Sequence, residues 1–388
     1  MIIGAGITGA ATAAALAATG RSVCVLDRSG PLGGTTAAGE GNILVSDHLP
    51  GPDLSLALRS VALWQEFAAG HGAEFEFERK GGLVVAHDPG QLAALLAQAG
   101  AQRGAGAEVT SLDEAGLREA EPRIAPGLAG GAFYPQDCQV QPMRAALAFL
   151  ARAGRHGGLT VARAEATSLE PAGTALRLVT DRGAIAAPVV VNAAGPWGGQ
   201  LARRLGSDLP VRPRRGHILV TEPLPQVIGH KVYECDYVAA VASDDDALAC
   251  SAVVESTASG TVLIGSSRDF GGSLPGVAGR PGPPPDAAVL AEIARRAIAL
   301  FPFLRRVRAL RAYTGYRPAC RDHLPVIGPD PAVPGLYHAT GHEGAGIGLA
   351  TGTAELLTAI IDGTPAAVDP APFSPARFAA LHGGRDDR

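Results

Sequence analysis

The chain opens on Met1-Ile-Ile-Gly-Ala-Gly-Ile-Thr-Gly-Ala10, three glycines spaced Gly4-x-Gly6-x-x-Gly9 between an apolar start and an alanine-rich run. Few folds accept that spacing. Ile2 and Ile3 end a buried strand and Gly4 makes a tight turn. Gly6 lets backbone N–H groups approach a pyrophosphate, and Gly9 lets the following helix pack close to the sheet. Ala10 to Thr19 reads as that helix, with Gly20 as its stop. Arg21 to Leu26 reads as a second strand ending at Asp27, whose carboxylate suits a ribose diol. In a sequence with 51 glycines the spacing alone would mean little. Strand, glycines, helix, strand and acid in order within about 30 residues are the pattern of a dinucleotide site, with nicotinamide and flavin both open. The stretch before Gly4 is short for a strand of about five or six residues. Either the chain starts upstream or Met1 stands where an earlier strand residue would.

With 388 residues, 47% hydrophobic and 18% charged, the chain can bury a large core and is expected to form two connected domains. A net charge of −4 points to neither nucleic acid nor an anionic membrane as partner. No apolar run reaches the roughly 18 residues of a transmembrane span, and no signal peptide fits before Gly4 unless the start lies upstream. Cys24, Cys138, Cys235, Cys250 and Cys320 are scattered and show no CxxC. That argues against a disulfide framework, a metal site or an iron–sulfur cluster in this chain, and fits the cytoplasm.

After Asp27 comes a glycine and threonine loop, Gly33-Gly-Thr-Thr-Ala-Ala-Gly-Glu-Gly-Asn42, placed to cover a cofactor. Helices are expected at Leu54–Ala68 (apolar at Leu54, Leu58, Val61, Trp64 and Phe67), Pro89–Ala101, Met143–Ala153 and Asp286–Leu300. Strands are expected at Gly82–Ala86, Leu159–Val161, Ala175–Thr180 and Pro188–Asn192. The last of these runs into the glycine turn Ala193-Ala-Gly195, where α/β sheets bind ligands. From Val211 to Asp269 the chain is β-rich, with strands at His217–Thr221, Val238–Ala242 and Thr261–Gly265, and reads as an antiparallel sheet. Pro281 to Pro285 is a stiff connector. Near the far end a strand at Leu336–Ala339 leads into Gly341-His-Glu-Gly-Ala-Gly-Ile-Gly348 and a helix ending before Gly363. The tail from Thr364 to Arg388 is expected to fray at its end.

These motifs together resemble the D-amino acid oxidase family of flavoproteins, which includes glycine oxidase and sarcosine oxidase. The resemblance rests on Gly4-x-Gly-x-x-Gly9 with Asp27, on Gly33 to Asn42 and on Val191-Asn-Ala-Ala-Gly195 with Trp197. It rests also on Gly315-Tyr-Arg-Pro318 with Asp322, on Pro325-Val-Ile-Gly328, and on Gly341 to Gly348. The Gly-His-Glu-Gly form is most similar to the flavin subunits of hydrogen cyanide synthase, opine oxidase and D-hydroxyproline dehydrogenase. The resemblance implies an α/β (α+β overall) chain with a Rossmann-like FAD-binding domain (1–80, 140–212 and 308–388) and an interleaved antiparallel-sheet substrate domain (81–139 and 213–307).

It also implies FAD. Gly4, Gly6 and Gly9 would hold the pyrophosphate, Asp27 the adenosine ribose, and Thr35 and Thr36 the pyrophosphate or ribityl region. Ala166 would touch adenine, and Gly195 would lie in the cofactor turn. Gly341, Gly344, Gly346 and Gly348 would lie against the isoalloxazine, where backbone N–H groups and a helix dipole stabilise negative charge. Arg317 would pair with a substrate carboxylate, while Tyr316, His342, His217 and Glu343 are candidates to line the pocket. The covalent cysteine of sarcosine oxidases falls where this chain has Gly315, so the flavin is expected to be non-covalent. Their oxygen-activating lysine has no counterpart in Thr261–Gly265. The implied reaction is oxidation of a small amino or imino acid (glycine, sarcosine, D-proline or D-amino-acid type) by hydride transfer to flavin N5. A flavin subunit that relays electrons to an iron–sulfur or other electron-accepting partner, or a nicotinamide-dependent dehydrogenase, are the alternatives.

Overall fold

The computed structural model describes residues 1–157, 159–237, 247–271, 274 and 284–382. Its first sheet has the order β18–β19–β12–β1–β2–β8. The parallel members are β1 (Ile2–Ile3), β2 (Val23–Asp27), β8 (Leu159–Arg163), β12 (Val190–Asn192) and β19 (Leu336–Thr340). An edge strand, β18 (Val326–Pro329), runs antiparallel. Successive side chains of a strand take opposite faces, and each face here is covered. Ile2, Val25 and Val191 pack among helices α1 (Ile7–Ala18), α5 (Pro142–Arg155) and α8 (Ala350–Asp362). Ile3, Leu26, Val190 and Leu336 pack instead against the three-stranded sheet β9 (Ala166–Ala172), β10 (Ala175–Thr180) and β11 (Gly183–Ala187), with α6 (Gly198–Arg204). β1 is two residues long, and Met1 continues its pairing by accepting the Val191 N–H at 2.8 Å.

The second sheet has eight strands, β17–β13–β16–β15–β14–β4–β6–β5. They are β4 (Gly82–Ala86), β5 (Thr110–Leu112), β6 (Gly130–Tyr134), β13 (Val211–Thr221), β14 (Lys231–Glu234), β15 (Ala249–Ser256), β16 (Val262–Arg268) and β17 (Ala309–Cys320). The middle segment is therefore a sheet as expected, but not a purely antiparallel one. Strands β4 and β14 pair in parallel, joining the segment to residues far upstream. Helix α7 (Ala287–Leu300) covers one face, with Val289, Ile293, Ala297 and Leu300 buried along one stripe and Asp286 capping the Ala288 N–H at 2.8 Å. Helices α3 (Pro89–Gly104) and α4 (Glu114–Ala120) lie beside β4 to β6. The short pair β3 (Asn42–Ile43) and β7 (Cys138–Gln139) fastens the end of the Gly33–Asn42 loop. The strand expected at Val238–Ala242, Pro281 to Pro283 of the connector and the last six residues of the tail lie outside the described residues.

Helix α2 (Pro52–Ala68) buries Leu54, Val61 and Trp64 of its apolar pattern, together with Leu56, Ala57 and Ser60. Leu58 and Phe67 are only partly covered, whereas Ser60 is fully buried. The Ser60 hydroxyl donates to the Gly348 carbonyl at 2.6 Å, accepts the Gly352 N–H at 2.9 Å, and so ties α2 to the start of α8. Trp64 Nε1 adds donations to the carbonyls of Ile347 (3.1 Å) and Gly348 (3.0 Å). A polar pair of anchors thus fixes the glycine loop that precedes α8.

Candidate functional site

The C-terminal ends of β1 and β12 open on a cleft of about 1640 Å³, its mouth included, that reaches across to β13 and β17. Its lining runs from Asp27 and Ala166 at one end to Arg317 at the other, which suits a long ligand. Of the residues expected to bind cofactor, Gly4, Gly6, Asp27, Thr35, Thr36, Ala166, Gly195, Gly344 and Gly346 line it. Gly9, Gly341 and Gly348 do not; they stand one layer behind. A Cβ on Gly9 would overlap the Gly4 carbonyl, one on Gly341 would press on Val326 Cγ2 at 3.1 Å, and one on Gly348 on Ile43 Cα at 3.3 Å.

The opening turn explains its own glycines. Gly4 has φ +116°, and a side chain there would run into the Ala193 carbonyl. Its N–H donates to Leu26 O at 2.7 Å. Asp27 accepts the Ala5 N–H at 2.9 Å on one oxygen and the Ser29 N–H at 2.8 Å on the other, which fixes the carboxylate at the cleft. Helix α1 has Gly6 at its N-cap and no capping side chain of its own. Thr36, on the neighbouring loop, accepts the Ile7 N–H at 2.9 Å, and a Cβ on Gly6 would approach that hydroxyl to 3.1 Å. A helix start with no cap from its own N-cap residue, opening on the cleft beside the Thr36 hydroxyl, fits an anionic pyrophosphate. Further along, the Arg28 guanidinium lies 4.4 Å over the Trp197 ring, and the indole Nε1 is buried without a partner. These features fit the adenosine half of FAD, with Gly4, Gly6, Asp27, Thr36 and Ala166 as the holding residues.

At the other end, Arg317 and Tyr316 also line the cleft. Arg317 lies across β13 in the space left by Gly216, where a Cβ would meet its guanidinium. Its Nη1 donates to Ser267 O at 2.9 Å and Arg215 O at 3.4 Å, and its Nη2 to Ser266 Oγ at 3.0 Å. Nε–H and the second Nη2–H have no partner among the described residues, so one edge of the fork is open at the cleft wall. Burial, and then the like charge of Arg268, lower its pKa to about 10, which leaves it charged at neutral pH. Tyr316 is buried; its carbonyl accepts the Thr35 hydroxyl at 2.6 Å, and burial raises its phenol.

The loop at Gly341–Gly348 carries two titratable groups in opposite states. His342 is buried, with Nε2 2.9 Å from Thr353 Oγ1 in α8, and burial lowers its pKa to about 4. It is neutral, with its ring turned towards the helix. Burial opposes the charge of Glu343, but His323, Arg268 and Arg214 outweigh it and hold its carboxyl low. Arg214 Nη1 donates to it at 2.5 Å. His217 is fully buried, 2.9 Å from Ser267 Oγ, and stands behind the cleft wall.

Gly216, Ser266 and Ser267, which seat Arg317, are absent from the sequence-based site. A glycine inside the β-rich run Val211–Thr221 is a signal of close approach that could have found the first. The serines carried none.

A parallel sheet with a glycine turn and an uncapped helix at one end of a cleft defines a dinucleotide-binding α/β protein. The chain belongs to the FAD dependent oxidoreductase family, which matches residues 1–360. It is 29% identical to hydrogen cyanide synthase subunit HcnC of Pseudomonas aeruginosa, over 85% of this chain and 75% of that protein. To glycine oxidase of Geobacillus kaustophilus it is 28% identical over 97% of this chain and 96% of the relative. The crystal structure of that glycine oxidase superposes with a TM-score of 0.83 at 26% identity, covering 97% of each chain. L-proline dehydrogenase from P. horikoshii shares the fold, with a TM-score of 0.85 at 22% identity over 98% of this chain and 97% of that one. The protein is thus an FAD-dependent oxidoreductase with a Rossmann-like sheet, and its cofactor is FAD. Among the described residues no helix is long and apolar enough to cross a membrane.

Proposed function

We propose that the protein oxidises a small amino or imino acid by hydride transfer from the carbon bearing the amine to flavin N5. FAD supplies the two-electron acceptor. The observation that carries the reading is Arg317: a charged guanidinium, seated by three hydrogen bonds on β13 and β16, with an open edge suited to a carboxylate. In this reading Arg317 orients the substrate, the turn at Gly4 and Gly6 holds the pyrophosphate, and Gly344 and Gly346 face the isoalloxazine. His342 braces the loop through Thr353, and Tyr316 walls the pocket. In this reading the flavin is held without a covalent bond, since glycine stands at position 315, where the resemblance places the linking cysteine.

A flavin subunit that passes electrons to a partner is the second reading. HcnC, to which the chain is similar, is named as a subunit, and β16 holds no lysine beside the cleft.

An anaerobic screen of glycine, sarcosine, D-proline, D-hydroxyproline and D-alanine for bleaching of the flavin tests the first reading. Bleaching by one or more is expected; a flavin that none of them reduces would overturn it. The bleached protein, offered oxygen or an artificial acceptor, then separates the two fates of the electrons.

A further inference from the structure

Neither the cofactor nor the seating of Arg317 gives a role to Glu40, a charged residue of the cleft. Glu40, in the Gly33–Asn42 loop, lines the same cleft and presses against Gly265 of β16, where a Cβ would collide with its Oε1. Gly265 adjoins Ser266, the residue that accepts from Arg317 Nη2. An acidic and a basic side chain therefore meet neighbouring residues of one strand and open on one space. Glu40 Oε2 is engaged: it accepts Asn42 Nδ2 at 2.9 Å and lies 3.7 Å from Lys231 Nζ. Its Oε1 has no hydrogen-bond donor among the described residues.

The surrounding charges define what that oxygen can receive. Lys231, on β14, is buried and donates to Glu255 Oε2 of β15 at 2.6 Å. Burial disfavours its charge, but Glu255 and then Glu40 outweigh this and keep it protonated. Lys231 and Glu255 cancel, which leaves one negative charge on Glu40. Tyr313 and Arg317 of β17, and Tyr237 after β14, complete the titratable and charged groups that face it. Burial raises both phenols, so neither contributes charge at neutral pH. Arg268, over the Tyr237 ring at 4.4 Å, is a second cation on the Arg317 side.

We propose that Glu40 Oε1 receives the amine of the substrate, so that the site reads a zwitterion with its carboxylate on Arg317 and its ammonium on Glu40. The inference rests on the amino-acid reading above and deepens it. A carbon carrying both groups presents opposite charges close together, and the two side chains approach adjacent residues, Gly265 and Ser266. An ammonium has no lone pair and cannot support loss of hydride from the adjacent carbon. Glu40 takes one proton from it: the N–H bond breaks, the electron pair stays on nitrogen, and the carboxylate becomes a carboxylic acid. The resulting neutral amine is the form that can be oxidised. 2-Hydroxy acids, such as glycolate, offer Oε1 a neutral hydroxyl in place of a charged ammonium and bind more weakly.

The test uses the flavin-loaded protein and Glu40→Gln, which keeps the side chain's size and its bond to Asn42 or Lys231. For whichever amino acid bleaches the wild type, the anaerobic bleaching rate at saturation should fall at least tenfold at pH 7. It should recover as pH rises, because the substrate then arrives already deprotonated. Binding of acetate, followed as a perturbation of the flavin spectrum, should be unchanged in Glu40→Gln and lost in Arg317→Met. An equal rate in Glu40→Gln at pH 7, or a loss that pH does not relieve, would overturn the role of Glu40 and leave the amino-acid reading standing. A wild type bleached by no amino acid would overturn both. Should Glu40→Gln lose its flavin, the wild type decides: equal affinity for an amino acid substrate and for its 2-hydroxy analogue would sink the proposal.

Discussion

Around Gly4 the cleft is built from backbone, whereas around Arg317 it is built from charged side chains. The cofactor end offers the start of α1, glycines where a side chain would meet neighbouring backbone or the Thr36 hydroxyl, and one fixed carboxylate at Asp27. The other end gathers Arg317, Arg268, Glu40 and the Arg214–Glu343 pair on or beside one sheet. The contrast follows from what each end must recognise. A pyrophosphate needs N–H groups and room, which glycine supplies and any side chain removes. A small substrate needs charges at set positions, which only side chains supported from behind can give. Substitutions at the two ends should therefore fail in different ways, by exclusion at the first and by lost recognition at the second.

The largest effect is expected for Gly9→Ala. A methyl there overlaps the Gly4 carbonyl, so α1 must move away from the turn. The protein should be recovered without visible flavin bands and should gain none when titrated with FAD, although Gly9 does not itself line the cleft. Retention of flavin in Gly9→Ala would break the view that the cofactor end works through close backbone packing.

His342 is one of two ionisable side chains buried on the Gly341–Gly348 loop, and it gives the cleft a pH limit. Its pKa is about 6.5 when unfolded and about 4 when folded, so the unfolded state takes up the proton first. Stability is fully present above pH 6.5 and lost as pH falls towards 4, by on the order of 3 kcal/mol. Asp137, pushed up to about 7 by burial, acts in the opposite sense over the same window. The diagnostic is thus a difference: from pH 6.5 to pH 4 the melting temperature of wild type should decline relative to that of His342→Gln. Parallel curves would show that His342 is not held neutral.

Arg317→Met should act only at the substrate end. Losing a charged bidentate contact to a carboxylate should raise the apparent Kd for acetate or substrate about 100-fold, about 2.7 kcal/mol. The flavin spectrum of the free protein should stay as in wild type. A loss of flavin in this variant would blur the division between the ends.

How much of this was legible beforehand differs between the ends for the same physical reason. Backbone recognition writes itself into a short stretch: Gly4, Gly6, Gly9 and Asp27 are spaced by one turn, one helix and one strand, and the structure puts them there. The parallel sheet and its helices were readable from the same periodicity. The charged end draws on residues more than 270 positions apart, Glu40 on a loop and Arg317 on β17, and no local pattern links them. Ser266 and Ser267 act through a carbonyl and a hydroxyl that many serines could offer. The parallel β4–β14 pairing was also hidden, because strand direction depends on which distant partner is chosen and not on residue alternation. Ser60 of α2 was missed because it is polar, although it shares the buried face with Trp64 one turn on, and only its bonds to Gly348 and Gly352 reveal why it is there.

The smallest predicted effect lies where the two ends meet. Thr35 stands in the cofactor loop, yet its hydroxyl donates to the Tyr316 carbonyl at 2.6 Å, next to Arg317. Thr35→Val keeps the shape and removes that one hydrogen bond, which should cost about 1 kcal/mol. If the bond only positions β17, the cost appears in substrate affinity alone, roughly a fivefold rise in apparent Kd. If Thr35 also touches the cofactor, FAD affinity should fall by a similar factor. Titrating Thr35→Val with FAD and then with substrate measures both. Coupled losses would mean that the backbone-built and charge-built ends are joined through this hydroxyl, and a loss confined to one ligand would assign Thr35 to that end.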